Sequence, residues 1–204
     1  MCLDHRSSWR VLQVILICAG TTLAACGGAG TSPTTDDASV PVLSLPIVDL
    51  TQLTDFKPFG LSEGAGHINP TYELRTRGDT TSVRAAGPGT VINILPNPAP
   101  DTDSEIHIRP PGAPDYLIIY DHVVSLRVVV GQSVTAGQVV GRIGPWAPGV
   151  GRTELQVNRG SGPSAVALCP RDFGTADFNA AHDAALARFP ARGASVCLAN
   201  SVQP

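Results

Sequence analysis

Glycine and proline cut this chain into pieces too short for much beyond strands and turns. There are 21 Gly and 18 Pro among 204 residues, and turn dipeptides recur at Pro88-Gly89, Asn97-Pro98, Pro111-Gly112, Val130-Gly131 and Ala136-Gly137. Between them lie short runs of Val, Ile, Thr and Tyr, side chains that suit a pleated, half-buried surface. Strands are predicted over 82–84, 89–95, 104–109, 116–122, 133–135, 138–143 and 153–158. This spacing predicts an all-β sandwich or barrel-like antiparallel sheet with glycine-rich hairpins.

After Cys169 the period changes. Phe178, Ala181, Ala185 and Leu186 fall on one helical face, Thr175 is placed to cap it and Pro190 to stop it, so one C-terminal α-helix is predicted over 176–188. Of five cysteines, Cys2 and Cys18 lie in the leader described below and Cys26 ends it, which leaves Cys169 and Cys197 as an even pair. Outside the cytoplasm such a pair predicts a disulfide, here one that closes a loop around the helix. The alternative, a two-Cys metal site, has only His182 nearby, inside the predicted helix and without ligand spacing to either thiol.

The first residues carry Arg6 and Arg10, followed by an apolar run over 11–19 that is too short to span the roughly 30 Å of a bilayer core. Leu23-Ala24-Ala25-Cys26 then supplies the small residues and the thiol that a lipoprotein signal requires. The expectation is a signal peptide over 1–25, lipid on Cys26, a flexible tether over 26–49 and one domain over 50–204. The protein would then sit in the cell envelope, lipid-anchored to the outer face of a membrane. Gly27, not Asp, follows the cysteine, so a two-membrane cell would place it on the outer membrane. The leader carries a net +1, so the whole-chain charge of −3 becomes −4 in the mature chain. That charge excludes a nucleic-acid partner and a polybasic membrane-surface role.

Within 129–144, Val129-Val130-Gly131-Gln132-Ser133-Val134 and Gly137-Gln138-Val139-Val140-Gly141-Arg142-Ile143-Gly144 read as two strands, each entered through a glycine turn. Such hairpins occur in biotinyl/lipoyl domains and in lysostaphin-type (LytM-like) zinc metallopeptidases, which are peptidoglycan endopeptidases. A biotinyl/lipoyl carrier needs a modifiable lysine at a hairpin tip, and Lys57, the only lysine, is outside any such hairpin. Val83-Arg84-Ala85-Ala86-Gly87-Pro88-Gly89-Thr90-Val91 resembles the peptidase pattern Val-x-Ala-x-x-x-Gly-x-Val, and Tyr120-Asp121-His122-Val123 resembles its Tyr-x-His-Leu. Gly66-His67 stands where that family places its first ligand, so the resemblance runs from about residue 66 to 158.

The resemblance implies a zinc site with ligands from His-x-Gly-x-Asp and from the second His of a late His-x-His. A fourth position would hold a water acidified by the metal. His67 matches the first ligand, but Thr71 stands for the Asp and Asn69 for the Gly. In the late strand Glu154 stands for a catalytic histidine and Gln156 for the remaining ligand, while His122 matches the Tyr-x-His histidine that orients water and oxyanion. One imidazole does not hold zinc, so the expectation is a catalytically degenerate pocket without metal that binds peptidoglycan or an envelope protein. The alternative is an active, divergent zinc metalloendopeptidase that cleaves peptidoglycan cross-links through a site rebuilt from His67, His122 and Glu154, with Glu73 or His107 joining. Against those last two, His107 alternates with Ile106 and Ile108 and is expected to face solvent, and Glu73 lies in a turn-like Pro-Thr-Tyr segment. No phosphate-binding glycine loop occurs.

Overall fold

The computed structural model describes residues 39–98 and 102–204. The expected signal peptide, Cys26 and the expected tether up to residue 38 lie outside the described residues. In chain order the strands are β1 (Leu53–Lys57), β2 (Ser62–Gly64), β3 (His67–Ile68), β4 (Tyr72–Arg77), β5 (Ser82–Arg84), β6 (Gly89–Pro96), β7 (Ser104–Arg109), β8 (Tyr116–Val124), β9 (Ser133–Val134), β10 (Val139–Ala147), β11 (Val150–Arg159), β12 (Val166–Leu168) and β13 (Ser201–Val202). The helix α1 (Ala176–Leu186) lies between the last two. The architecture is all-β with one C-terminal helix, as the turn spacing predicts. Eleven strands form one sheet in the order β1-β4-β11-β10-β8-β7-β6-β9, with β5 on β10 and β12 and β13 extending from β11; β2 and β3 make a separate hairpin.

Strand β11 organises the sheet. Its start pairs with β10 across a tight turn, and from Glu154 to Arg159 it pairs with β8 on one side and, through Leu155, with β4 on the other. Along β11 Gly151, Thr153, Leu155 and Val157 are buried, while Arg152, Glu154 and Gln156 stay partly exposed on the opposite face. The buried face meets Leu74, Ile118, Tyr120 and Ile143 in one core. Tyr120 joins two of the sequence motifs, since its hydroxyl accepts the Ala86 N–H at 2.8 Å in full burial. The turn at Gly137, with φ of 81°, requires the left-handed backbone that glycine adopts without strain.

Every predicted strand is present, and most run further than their sequence limits. Six strands were not predicted. β4 matters most, because it is an interior strand and carries Glu73, which is therefore in the sheet and not in a turn. Tyr72, Leu74 and Thr76 point inward and Glu73, Arg75 and Arg77 to the other face. This is a clean period of two, masked in the sequence by Pro70 and by the charges.

Helix α1 begins as predicted, with the Thr175 hydroxyl accepting the Phe178 N–H. It ends at Leu186, two residues short of the predicted limit, because Arg188 turns away to bond the carbonyls of Leu50 and Leu53 at 2.6 and 2.7 Å. His182, with Phe178, Ala185 and Leu186, completes its buried face. The imidazole packs against Phe56, Tyr72 and Phe178, and burial pushes its pKa down to about 4, so it is a neutral core residue.

The folded part also reaches further back than residue 50. Leu43, Ile47 and Val48 are buried, and Leu43 bonds through its N–H to Phe173 and through its carbonyl to Thr175. Residues Asp37–Pro204 make one compact unit, with the core inside it. The segment read as the end of a tether thus anchors the sheet to the start of the helix.

Cys169 and Cys197 form the disulfide, 28 positions apart in sequence. Cys169 is fully buried and its sulfur lies 3.5 Å from the Tyr72 hydroxyl. Loop-closure entropy predicts that reduction lowers stability by about 3 kcal/mol. Thermal melts with and without a thiol reductant check this, and the Cys169→Ala, Cys197→Ala double variant should melt like the reduced protein.

Candidate functional site

The outward faces of β1, β4, β11 and β8 form a floor of charged side chains in register. One row runs Lys57, Glu73, Glu154, Asp121, and the next runs Asp55, Arg75, Arg152. Adjacent carboxylates repel unless cations intervene. Lys57 reaches Glu73 at 3.0 Å and Glu63 at 2.5 Å, and Arg75 reaches Glu73 at 2.6 Å. For Glu154 and Asp121 the cation is His122.

His122 sits where β8 leaves β11 and joins β10: Asp121 still pairs with Glu154, whereas Val123 pairs with Ile143. At this fork its backbone is left-handed, with φ of 55°. The turn brings its side chain to the same face as Asp121, where strict alternation would oppose them. Nδ1 lies 2.9 Å from Asp103 Oδ2, and Nε2 lies 3.6 Å from both Asp121 Oδ2 and Glu154 Oε1. Asn97 Nδ2 donates to Asp103 and to Asp121, each at 2.7 Å, and holds the two carboxylates together. Gly144 makes room for this, because a Cβ there would stand 2.8 Å from Asp103 Oδ2.

His122 is 8% exposed. Burial opposes its charge, but Glu154, Asp121 and Asp103 outweigh burial and the opposing Arg152, and lift its pKa to about 9. At neutral pH it is an imidazolium. Burial raises the Asp121 carboxyl from its ordinary value, against the hydrogen bonds from Asn97 and the charge of His122.

The other expected site residues are placed apart from this centre. Thr71 is buried and donates its hydroxyl to Asn69 Oδ1 at 2.9 Å. Gln156 shares the floor with Glu154 but donates its amide to Asn158 at 2.6 Å. His67 stands on the exposed β2–β3 hairpin, its Nδ1 3.0 Å from Glu63, and it connects to the floor through Glu63 and Lys57. His107 pairs closely with Glu105 and is largely covered, so it does not face solvent as predicted; it lines a cleft with Ile119, Gln156 and Asn158. Asp103, Asp121, Asn97 and Arg152 were not singled out from sequence. Asp121 stands beside the recognised His122, whereas Asp103 comes from a loop with no motif.

No protein-family model matches the chain, and no curated protein does either. Solved structures do. The lysostaphin solution structure superposes with a TM-score of 0.51 at 20% identity, over 61% of this chain and 51% of that one. The SpoIIQ–SpoIIIAH pore-forming complex superposes with a TM-score of 0.52 at 18% identity, over 67% of this chain and 92% of that one. The domain has the lysostaphin fold. The crystallised catalytic domain of lysostaphin from Staphylococcus simulans matches with a TM-score of 0.49 at 19% identity, over 61% of this chain and 93% of that one. The chain spans about half the length of the full lysostaphin it matches.

The ligand positions that the sequence resemblance implies are His67, Thr71 and Gln156, and their donors do not fit zinc. The Thr71 hydroxyl is buried and already bonded to Asn69, the Gln156 amide is bonded to Asn158, and His67 is ion-paired with Glu63. A neutral hydroxyl and a neutral amide are weak ligands for this ion. A different group of ligand-type atoms does converge, since Asp103, Asp121 and His122 bring theirs within 4.8 Å of one another. Its imidazole holds a proton at neutral pH, and the Arg152 guanidinium lies 3.1 Å from Nδ1.

Proposed function

We propose that this domain is a non-hydrolytic binding module on the lysostaphin fold, which holds peptidoglycan peptide across its charged floor. We propose further that lipid on Cys26 anchors it at the outer face of a membrane, the outer one where there are two. One observation carries the reading: at each position where the resemblance expects a ligand or catalytic group, the side chain present is already engaged. Thr71 is bound to Asn69, Gln156 to Asn158, Glu154 faces His122, and His67 faces Glu63. An enzyme of this type needs an open coordination position and a base free to take a proton. A binding surface needs a fixed pattern of charge, and the ion pairs hold one in place. The SpoIIQ–SpoIIIAH assembly, a pore-forming complex of two proteins, supports the use of this fold for binding.

A rebuilt cation site at Asp103, Asp121 and His122 is the second reading, and one metal assay separates the two. The unit Asp37–Pro204 is expected to retain far less than one zinc per chain after zinc loading and dialysis. It is expected to release no muropeptides from sacculi and to co-sediment with them. Stoichiometric zinc with chelator-sensitive release would make it an enzyme. Absence of co-sedimentation, with capture of an envelope protein instead, would move the ligand to protein. For the anchor, labelled palmitate should enter the full chain and be lost in Cys26→Ser.

A further inference from the structure

Arg152 is the cation on the floor that its neighbours leave uncompensated. Its cross-strand partner Arg75 is balanced by Glu73 at 2.6 Å and Asp55 at 3.7 Å. Among the described residues no carboxylate ion-pairs with Arg152. Its Nε–H is shielded from solvent and bonded to nothing, and its Nη2 faces the imidazole of His122. Two arginines side by side on neighbouring strands repel, and an orphaned buried donor is costly.

Trp146 covers this position. It falls at a register shift where β10 and β11 pair Pro145 with Gly151 and then Ala147 with Val150, so Trp146 is an extra residue on its strand. Such a bulge re-aims a side chain, here over both guanidiniums, 4.1 Å from Arg152 and 4.7 Å from Arg75. The indole remains 47% exposed on the tip beside Gly149. A planar ring over a guanidinium fixes its plane and leaves its edge for an acceptor, and a carboxylate matches that edge with two parallel hydrogen bonds.

We propose that Arg152, roofed by Trp146, is the subsite for a free carboxylate of a stem peptide held on the floor. The inference rests on the peptidoglycan-binding reading and adds the group by which the peptide is recognised. The acceptor would relieve the arginine pair. The carboxylates of Glu154 and Asp121 lie further along the floor, and they would face the amino group of a diamino-acid residue in the same peptide. The two ends of the ligand thus meet opposite charges.

Trp146 is the one tryptophan in Asp37–Pro204, the other being Trp9, so its fluorescence reports occupancy directly. The probes are a synthetic stem tetrapeptide with free carboxylates, the same peptide with its carboxylates amidated, and an acidic peptide of L-glutamates. The free tetrapeptide is expected to give a saturable change. Amidation, Arg152→Gln and Arg152→Lys should each weaken binding by roughly tenfold or more, the lysine variant because it keeps the charge but loses the fork. Arg77→Gln, on the same face but exposed, should bind like the wild type. Equal affinity for the amidated peptide, an arm that needs no variant, overturns the subsite. So does wild-type affinity in a folded Arg152→Lys protein, or tighter binding of the L-glutamate peptide than of the stem peptide. Wild-type sacculus co-sedimentation that ignores amidation and Arg152 would sink this inference and leave the binding reading standing; no co-sedimentation at all would sink that reading itself.

Discussion

Asn69→Gly, which installs the residue of the lysostaphin-type motif, is expected to lower stability by about 4 kcal/mol and to leave zinc unbound. The Asn69 amide is buried and makes four bonds of 3.2 Å or less. Its Nδ2 donates to the carbonyls of Pro58 and Thr71 at 3.1 and 3.0 Å, and its Oδ1 accepts from the Thr71 N–H and hydroxyl at 3.2 and 2.9 Å. Each bond contributes about 1 kcal/mol net, and glycine leaves buried partners unsatisfied while adding backbone freedom to the unfolded chain. Urea denaturation of the two proteins measures the difference. Asn69→Asp should fall between them, since it keeps the acceptors and loses both donations. A near-neutral Asn69→Gly would mean that this segment holds its shape without the amide.

Which parts of the molecule were legible in the sequence follows from how local their signals are. The glycine and valine framework was, because turns at Gly131 and Gly137 and the alternation of β6, β7 and β8 are local properties of the chain. The disulfide and the helix cap were legible for the same reason, as Thr175 and the even pair of cysteines speak within a few residues or by simple count. Strand β4 was not, since a turn-prone start and three charged residues hide its alternation until β1 and β11 supply partners for both edges. The segment before residue 50 was misread because scattered Leu43, Ile47 and Val48 show no period; only the surface they fill makes them core residues.

The site divides in the same way. His122 and Glu154 stand in recognisable motif positions, and the pairing of Asp121 with Glu154 brings them together. Asp103 has no motif and arrives through the far end of a hairpin, held by Asn97. Arg152 and Trp146 were invisible because their relation depends on one bulge, which no pattern of residue types announces.

His122→Asn is expected to lower stability by about 3 kcal/mol at pH 7, and to change the sign of its pH dependence. Asparagine tolerates the left-handed backbone at this position better than most residues, so the charge is removed with little added strain. In the wild type the pKa is raised from 6.5 to about 9. The charged form is therefore favoured by folding: its contribution, up to about 3 kcal/mol, is full below pH 6.5 and is lost as pH rises through 9. Wild-type melting temperature should fall between pH 7 and 9.5. In the variant, Asp103, Asp121 and Glu154 face one another without the imidazolium, and breaking a buried pair from one side leaves uncompensated charge. Protonating Asp121, whose carboxyl burial already raises, relieves it, so the variant should gain stability as pH falls from 7 towards 5 and should lack the alkaline loss. Melting curves at pH 5, 7 and 9.5 for both proteins resolve the two slopes. Parallel profiles would mean that His122 is neutral in the folded protein, which would free its Nε2 lone pair and return Asp103, Asp121 and His122 to contention as a metal site.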